Sequence, residues 1–365
     1  MAGSASQAVT VEATPSPEPL TNDGLARYAR GLLAAAMSID KTRLEHRRFQ
    51  LPLLGLNVWF ASPEFRRLCE VGLLETADPQ TLADAEVFAM HTLDGLWSEP
   101  LLWHGGDGMS ARVFDRTLTE SGLRGCYYGL PCWQIYDPAV RTGVQSLSAS
   151  LAIPPWETAS PLRMFLHWAY AASGLRLTHA ATLGQGGVGA LLAGAGGSGK
   201  SGTTLAGILH GLDSVGDDYV VVEPGATVVA HGVFRNFKQD VSGLERAGLA
   251  SLGRERSLNW QGKVEFDPAR IGRPLSTCMN IRAILLPHIA RASRTVLTPA
   301  SAHEATLSLA PSAVLQFSGD GPEGFRFFAG LARRLPAFHL HLSEDPKEIA
   351  AALSAFFTAG VDHAG

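Results

Sequence analysis

The chain has 365 residues, of which 46% are hydrophobic and 18% charged, with a formal net charge of −4. That length allows two domains, and the composition describes a globular protein with ample core. The slightly negative balance gives no electrostatic case for a nucleic-acid or anionic-membrane partner, and no apolar run approaches the ~20 residues of a membrane-spanning helix.

The first 22 residues, rich in small residues and proline, read as a disordered leader without the basic start and apolar block of a signal peptide. Cys69, Cys126, Cys132 and Cys278 form no CxxC pair. A reduced, cytoplasmic protein without a thiolate zinc site is therefore expected, with Cys126 and Cys132 as buried free thiols. Residues 23–152 read as a mixed α/β domain that recognises an acceptor or serves assembly. Within it, Thr21-Asn22-Asp23 offers caps for a helix through GLARYARGLLAAAM. The basic run Lys41–Arg48 reads as a solvated helix face. LNVWFAS and PLLWHG are short segments broken by Gly, Pro and Asp, and LRGCYYGLPCWQIYD predicts a hairpin around Gly129-Leu130-Pro131.

Ile153-Pro154-Pro155-Trp156 reads as a connector into a second domain, residues 153–365. SPLRMFLHWAYAASG predicts a helix with Ser160 as N-cap, Pro161 at its first position and Gly174 as its stop. His167, inside that helix, is expected to be packed. LRLTHAATLG and VGALLAG then predict two strands around a Gln185-Gly186-Gly187 turn, SGTTLAGILHG a helix closed by Gly211, and LDSVGDDYVVVEPG a further strand.

Between the second strand and that helix lies GAGGSGKS, which matches G-x-x-x-x-G-K-[ST] in full, in the strand–loop–helix context that a phosphate loop requires. Gly194, Ala195, Gly196, Gly197, Ser198, Gly199, Lys200, Ser201 and Gly202 are the expected nucleotide-binding residues. The glycines let the backbone turn tightly and aim N–H groups at phosphate oxygens, and the helix adds its positive end. Lys200 would reach the β- and γ-phosphates, and the Ser201 hydroxyl would ligate Mg2+. Asp217 and Asp218 follow Lys200 by 17 and 18 positions. Carboxylates there can hold Mg2+, the assignment made for Asp218, or accept the proton of an attacking hydroxyl; which of the two is the base is left open. On a strand the two would point in opposite directions. His179 is placed on the strand antiparallel to the one entering the loop, where it can lie near a transferred group.

The string THAATLGQGGVGALLAGAGGSGKSGTTLAGILHGLDSVGDDYVVV resembles the core of the HPr serine kinase/phosphorylase family, which shows a histidine on a strand, a hairpin, a phosphate loop, a helix and an Asp-Asp pair. The resemblance covers about 175–225 and extends weakly to about 350. It implies an α/β, phosphoenolpyruvate carboxykinase-like core joined to a separate N-terminal domain, ATP and Mg2+ as cofactors, and γ-phosphoryl transfer to a hydroxyl of a protein or precursor peptide. By position, Lys200, Asp217, Asp218 and His179 would carry catalysis. Ala195 and Gly202 replace acidic positions of the bacterial HPr enzymes, and the N-terminal half is unlike theirs, so an acceptor other than HPr is expected. A small-molecule kinase on the same fold and a nucleotide-binding switch are the alternatives, and a homo-oligomer is left open. Downstream, Arg235 or Lys238 is a candidate to neutralise phosphoryl charge. The turn Arg291–Arg294 is a candidate anion clamp, and His339 and His341 read as structural.

Overall fold

The computed structural model describes residues 22–77, 80–91, 97–98, 111–127, 132–148, 153–314 and 316–359. The leader expected over 1–22 falls outside the described residues apart from its last position, as do PLLWHG and the tip Gly129-Leu130-Pro131.

The protein is mixed α/β. A six-stranded sheet contains β1 (Glu45–Leu51), β2 (Leu53–Phe60), β3 (Thr81–His91), β4 (Arg124–Tyr127), β5 (Cys132–Asp137) and β6 (Thr142–Leu147), in the order β1-β2-β3-β6-β5-β4. The helices α1 (Asn22–Ser38) and α3 (Ala111–Glu120) cover one face, where Leu25, Ala29, Phe114 and Leu118 meet Phe88, Trp133 and Ile135. The arms of the expected hairpin pair antiparallel, Tyr127 opposite Trp133. The basic run 41–48 is not a helix face. After one 3-10 turn at Lys41–Arg43 it enters the edge strand β1, where Arg47 meets Glu75 at 2.8 Å and Arg48 meets Asp84 at 2.7 Å. Charged side chains along an unpaired strand edge discourage edge-to-edge association.

The other face of this sheet packs on α2 (Pro63–Gly72) and α4 (Arg163–Ala171). The second of these helices begins two residues later than the sequence predicts. Residues Pro155–Glu157 form a 3-10 turn, Leu162 is left-handed (φ 57°), and the buried Glu157 carboxylate accepts the Leu162 N–H at 2.6 Å. Glu157 thus anchors the backbone just before α4, and no side chain, Ser160 included, caps the helix. His167 is buried as expected and stacks on Phe317 at 4.2 Å.

The eight-stranded sheet contains β7 (Arg176–Thr178), β8 (Ala181–Gln185), β9 (Val188–Leu192), β10 (Val220–Glu223), β11 (Val228–Gly232), β14 (Cys278–Ala292), β15 (Val296–Ala300) and β16 (Ala337–Ser343). Its spine is β14, which pairs antiparallel with β11 at its start and parallel with β9 and β16 further on. On one face lie α5 (Lys200–Leu209) and α11 (Pro346–Ala359), through Leu205, Ile208, Leu353 and Phe356. On the other lie α8 (Ala302–Leu309), α9 (Pro311–Val314) and α10 (Gly321–Arg334), through Leu309, Phe328 and Leu331. A two-stranded ribbon, β12 (Phe237–Gln239) with β13 (Val264–Phe266), and the short helices α6 (Val241–Arg246) and α7 (Ala250–Glu255) complete the fold.

One buried cluster bridges the two sheets, joining Phe49 and Phe65 to Leu166 and Trp168 of α4 and to Tyr219 and Phe234. Backbone bonds reinforce the junction: Leu74 N donates to Val233 O, and Arg235 N to Gly72 O, both at 2.9 Å. Among the described residues no helix is long and apolar enough to cross a membrane.

Candidate functional site

The phosphate loop leaves β9 at Leu192 and ends where α5 begins at Lys200. Gly197 (φ 82°) and Gly199 (φ 105°) occupy the left-handed region, where any other residue would be strained. The first N–H groups of α5 have no partner within the helix and face the same side as its positive dipole end. Lys200 Nζ is steadied by the carbonyls of Gly194 (2.6 Å) and Ala195 (3.2 Å). Burial pulls its pKa down, against the opposing charge of Asp218. Ser198 Oγ is buried without a partner.

His179 corrects its predicted place. LRLTHAATLG is two strands, not one: β7 pairs with β10 and β8 with β9, and His179 lies in the break between them. The Ala180 N–H turns back to Thr178 O at 2.9 Å, while the His179 N–H donates to Ser312 Oγ at 3.0 Å. This kink sets His179 Nε2 3.2 Å from Asp218 Oδ1. The ring of Tyr219 lies 5.3 Å from the imidazole and is itself fixed by Arg163 (2.8 Å) and Gln316 (2.9 Å) at its hydroxyl.

Asp217 and Asp218 are likewise not strand residues; they sit in the bend before β10. Asp218 lines the cleft. Its second oxygen meets Lys238 Nζ at 2.7 Å, and its side chain is 22% exposed. Burial alone would raise its pKa, but the Lys238 charge and the bond to His179 hold the carboxyl well below the usual range. Asp217 lies behind it, 2% exposed, accepting the Lys238 N–H at 3.2 Å through Oδ2, with Oδ1 unpartnered. Burial, and then the neighbouring Asp218 charge, pushes Asp217 up to about 7. The adjacent carboxylates are thus held in different protonation regimes.

The cleft encloses about 150 Å3, at the carboxyl ends of the parallel strands β9, β14 and β16. In open α/β sheets that is where ligands bind. Besides Gly196, Gly197, Gly199, Ser201 and Gly202 of the loop, it gathers Lys238, Lys263, Arg246 and Asp240. Lys238, one of the two candidates to neutralise phosphoryl charge, lines the cleft; Lys263 and Arg246 were not legible at all, because nothing in QGKVEF or GLERAG marks a site. Arg235 is not part of it: its guanidinium donates to Leu73 O at 2.9 Å, anchoring the junction between the sheets. Asp240 also caps α6, accepting from the Gly243 N–H at 2.5 Å. His339 and His341 hold separate partners, Glu304 and Thr298. Among the described residues no group of three or more His, Cys, Asp or Glu side chains could hold a metal ion.

The chemistry of the cleft fits a magnesium nucleotide. Mg2+ keeps several waters and takes one or two protein oxygens together with phosphates, a role that Ser201 and Asp218 can fill. The glycine backbone, Lys200, Lys263 and Arg246 face the same space with positive charge. No family model matches the chain, and no curated protein matches it.

Proposed function

We propose that this chain is an ATP- and Mg2+-dependent kinase that transfers the γ-phosphoryl group to a side-chain hydroxyl of a protein or peptide, on an HPr kinase-like, phosphoenolpyruvate carboxykinase-like core. The observation that carries this reading is the convergence on one cleft of the glycine loop and the His179–Asp218–Lys238 cluster. Phosphoryl transfer needs positioning and charge stabilisation more than covalent chemistry. Here the loop and Lys200 bind phosphate oxygens, while Lys263 and Arg246 offset charge. Asp218 accepts the hydroxyl proton, and His179 orients the carboxylate. Bound Mg2+ would neutralise phosphate charge, with Ser201 as its protein ligand. The mixed β8-β9-β14-β16 pairing supports the carboxykinase-like core over an all-parallel phosphate-loop sheet.

For the acceptor, an open surface cavity of about 580 Å3 lies where the connector meets the kinase half, lined by Pro155, Thr158, Leu258, Trp260 and Glu265 among others. Trp260 is 59% and Leu258 53% exposed. The cavity adjoins the β12–β13 ribbon, which also carries Lys238, and Lys263 immediately precedes β13. An open surface cavity beside the ribbon that also carries Lys238 of the cleft favours a polypeptide over a metabolite.

The test is transfer of label from γ-labelled ATP, with Mg2+, to polypeptides of a cell lysate, using wild type and Asp218→Asn. Label on a discrete polypeptide with wild type alone supports the reading. ATP binding without transfer to any polypeptide would sink it.

A further inference from the structure

The cleft beside Lys200 continues past the loop. Gly199, Gly202, Arg246 and Ile289 line it and also line a second space of about 260 Å3, bounded by α5, α6, the far end of β14 and the β16–α11 turn. His179, Asp218 and Lys238 do not reach this second space, so it lies on the side of the loop away from the reacting groups.

Its lining differs in kind from that of the phosphate cleft. Ala206, Ala247, Leu342, Pro346 and Ile349 make apolar walls, and Gly202 allows a flat group to approach the backbone closely. Thr203, 1% exposed, lines the slot with its hydroxyl unpartnered. Arg246 and Arg291 stand at the rim. Arg291 has φ 52°, in the irregular stretch where the β14–β16 register shifts between Ile289 and Ala292. A bulge of this kind re-aims the side chain it carries.

A triphosphate seated on the glycine loop with its terminal phosphoryl toward Asp218 has its esterified end on the opposite side. We propose that this slot holds the base and ribose of the nucleoside triphosphate, with Thr203 as a hydrogen-bonding partner and Arg246 and Arg291 over the rim. The inference rests on the kinase reading above. Ligand sites commonly combine apolar walls with a few placed polar groups, which is the composition here.

Calorimetric binding of ATP and of inorganic tripolyphosphate, each with Mg2+, tests the assignment on the full chain. Tripolyphosphate needs only the cleft, whereas ATP needs the slot as well. Ala247→Phe, which fills the slot from the half-buried end of α6, is expected to weaken ATP by about tenfold or more and to leave tripolyphosphate within about twofold. Arg291→Ala, near the exposed end of β14, is expected to show the same selectivity with a smaller loss. Equal weakening of both ligands by both variants, or no effect on ATP, overturns the proposal. An azido-ATP photoprobe supplies a readout independent of the variants. Label on peptides containing residues 241–249 or 342–349 supports the slot; label confined to residues 256–263 overturns it. If wild type binds tripolyphosphate but gains nothing from the nucleoside, the slot assignment alone fails. If it binds neither ligand, the kinase reading fails and takes this inference with it.

Discussion

His179 Nε2 stands 3.2 Å from Asp218 Oδ1, although the two residues lie on opposite sides of the phosphate loop in the chain. A break between β7 and β8 delivers the imidazole, and a bend before β10 delivers the carboxylate. If Asp218 takes the proton of the acceptor hydroxyl, Asp218→Asn should reduce kcat by about 10²–10⁴, the range of general acid–base contributions. ATP binding should persist. His179→Asn should lower kcat less and leave the KM for ATP unchanged; a change confined to KM would contradict an orienting role.

Lys238 and Asp218 form a mostly enclosed ion pair, with side chains 13% and 22% exposed. Removing one partner strands the other, which commonly costs about 3–5 kcal/mol, and the residual exposure of Asp218 brings the expectation to the low end. Lys238→Met should therefore destabilise more than the double variant Lys238→Met/Asp218→Asn. A coupling energy of about 1 kcal/mol or more in urea denaturation checks this. Additive losses would show that the pair is decorative.

Asp217 and Glu157 are both pushed up to about 7, chiefly by burial, from ordinary values of 3.8 and 4.5. Between about pH 4 and 7 the folded protein keeps protons that the unfolded chain has released. Stability must then fall as pH rises through this window, by on the order of 3–4 kcal/mol per group. Denaturation at pH 5 and pH 8 measures the slope. Glu157→Gln should flatten it in part, because an amide does not titrate, and Gln134, whose Oε1 has no partner, can turn to accept from the new amide. An unchanged slope in that variant refutes the assignment.

Ser201 contributes the hydroxyl expected on the metal. Ser201→Ala should raise the Mg2+ concentration for half-maximal transfer by about 10–100-fold while saturating metal restores much of the rate. A rate loss that no Mg2+ concentration repairs would place the hydroxyl in another role.

Trp260 projects from the loop beside the connector. Trp260→Ala should raise the KM for a polypeptide acceptor by about tenfold, as expected of an aromatic anchor, without moving the KM for ATP or the circular dichroism spectrum. Equal effects on both substrates would separate this cavity from acceptor binding.

The glycine loop between β9 and α5, with Lys200, Ser201 and the aspartate pair near it, was legible from the sequence, because a tight backbone turn requires glycine at fixed intervals within a short contiguous stretch. The mixed α/β character was legible too, since apolar periodicity is local. The tertiary structure decided the rest. It showed that His179 sits in a break rather than on a strand, that α4 starts without the expected Ser160 cap, and that Lys41–Arg48 runs onto an edge strand. It also brought Lys263, Arg246 and Ile289 to the cleft and its adjoining slot. Those residues are separated from the loop by dozens of positions and carry no spacing of their own. Their neighbourhood exists only because β14 runs beside β9 and because the β12–β13 ribbon and α6 close over the start of α5. Charge that acts through space is invisible to a pattern read along the chain.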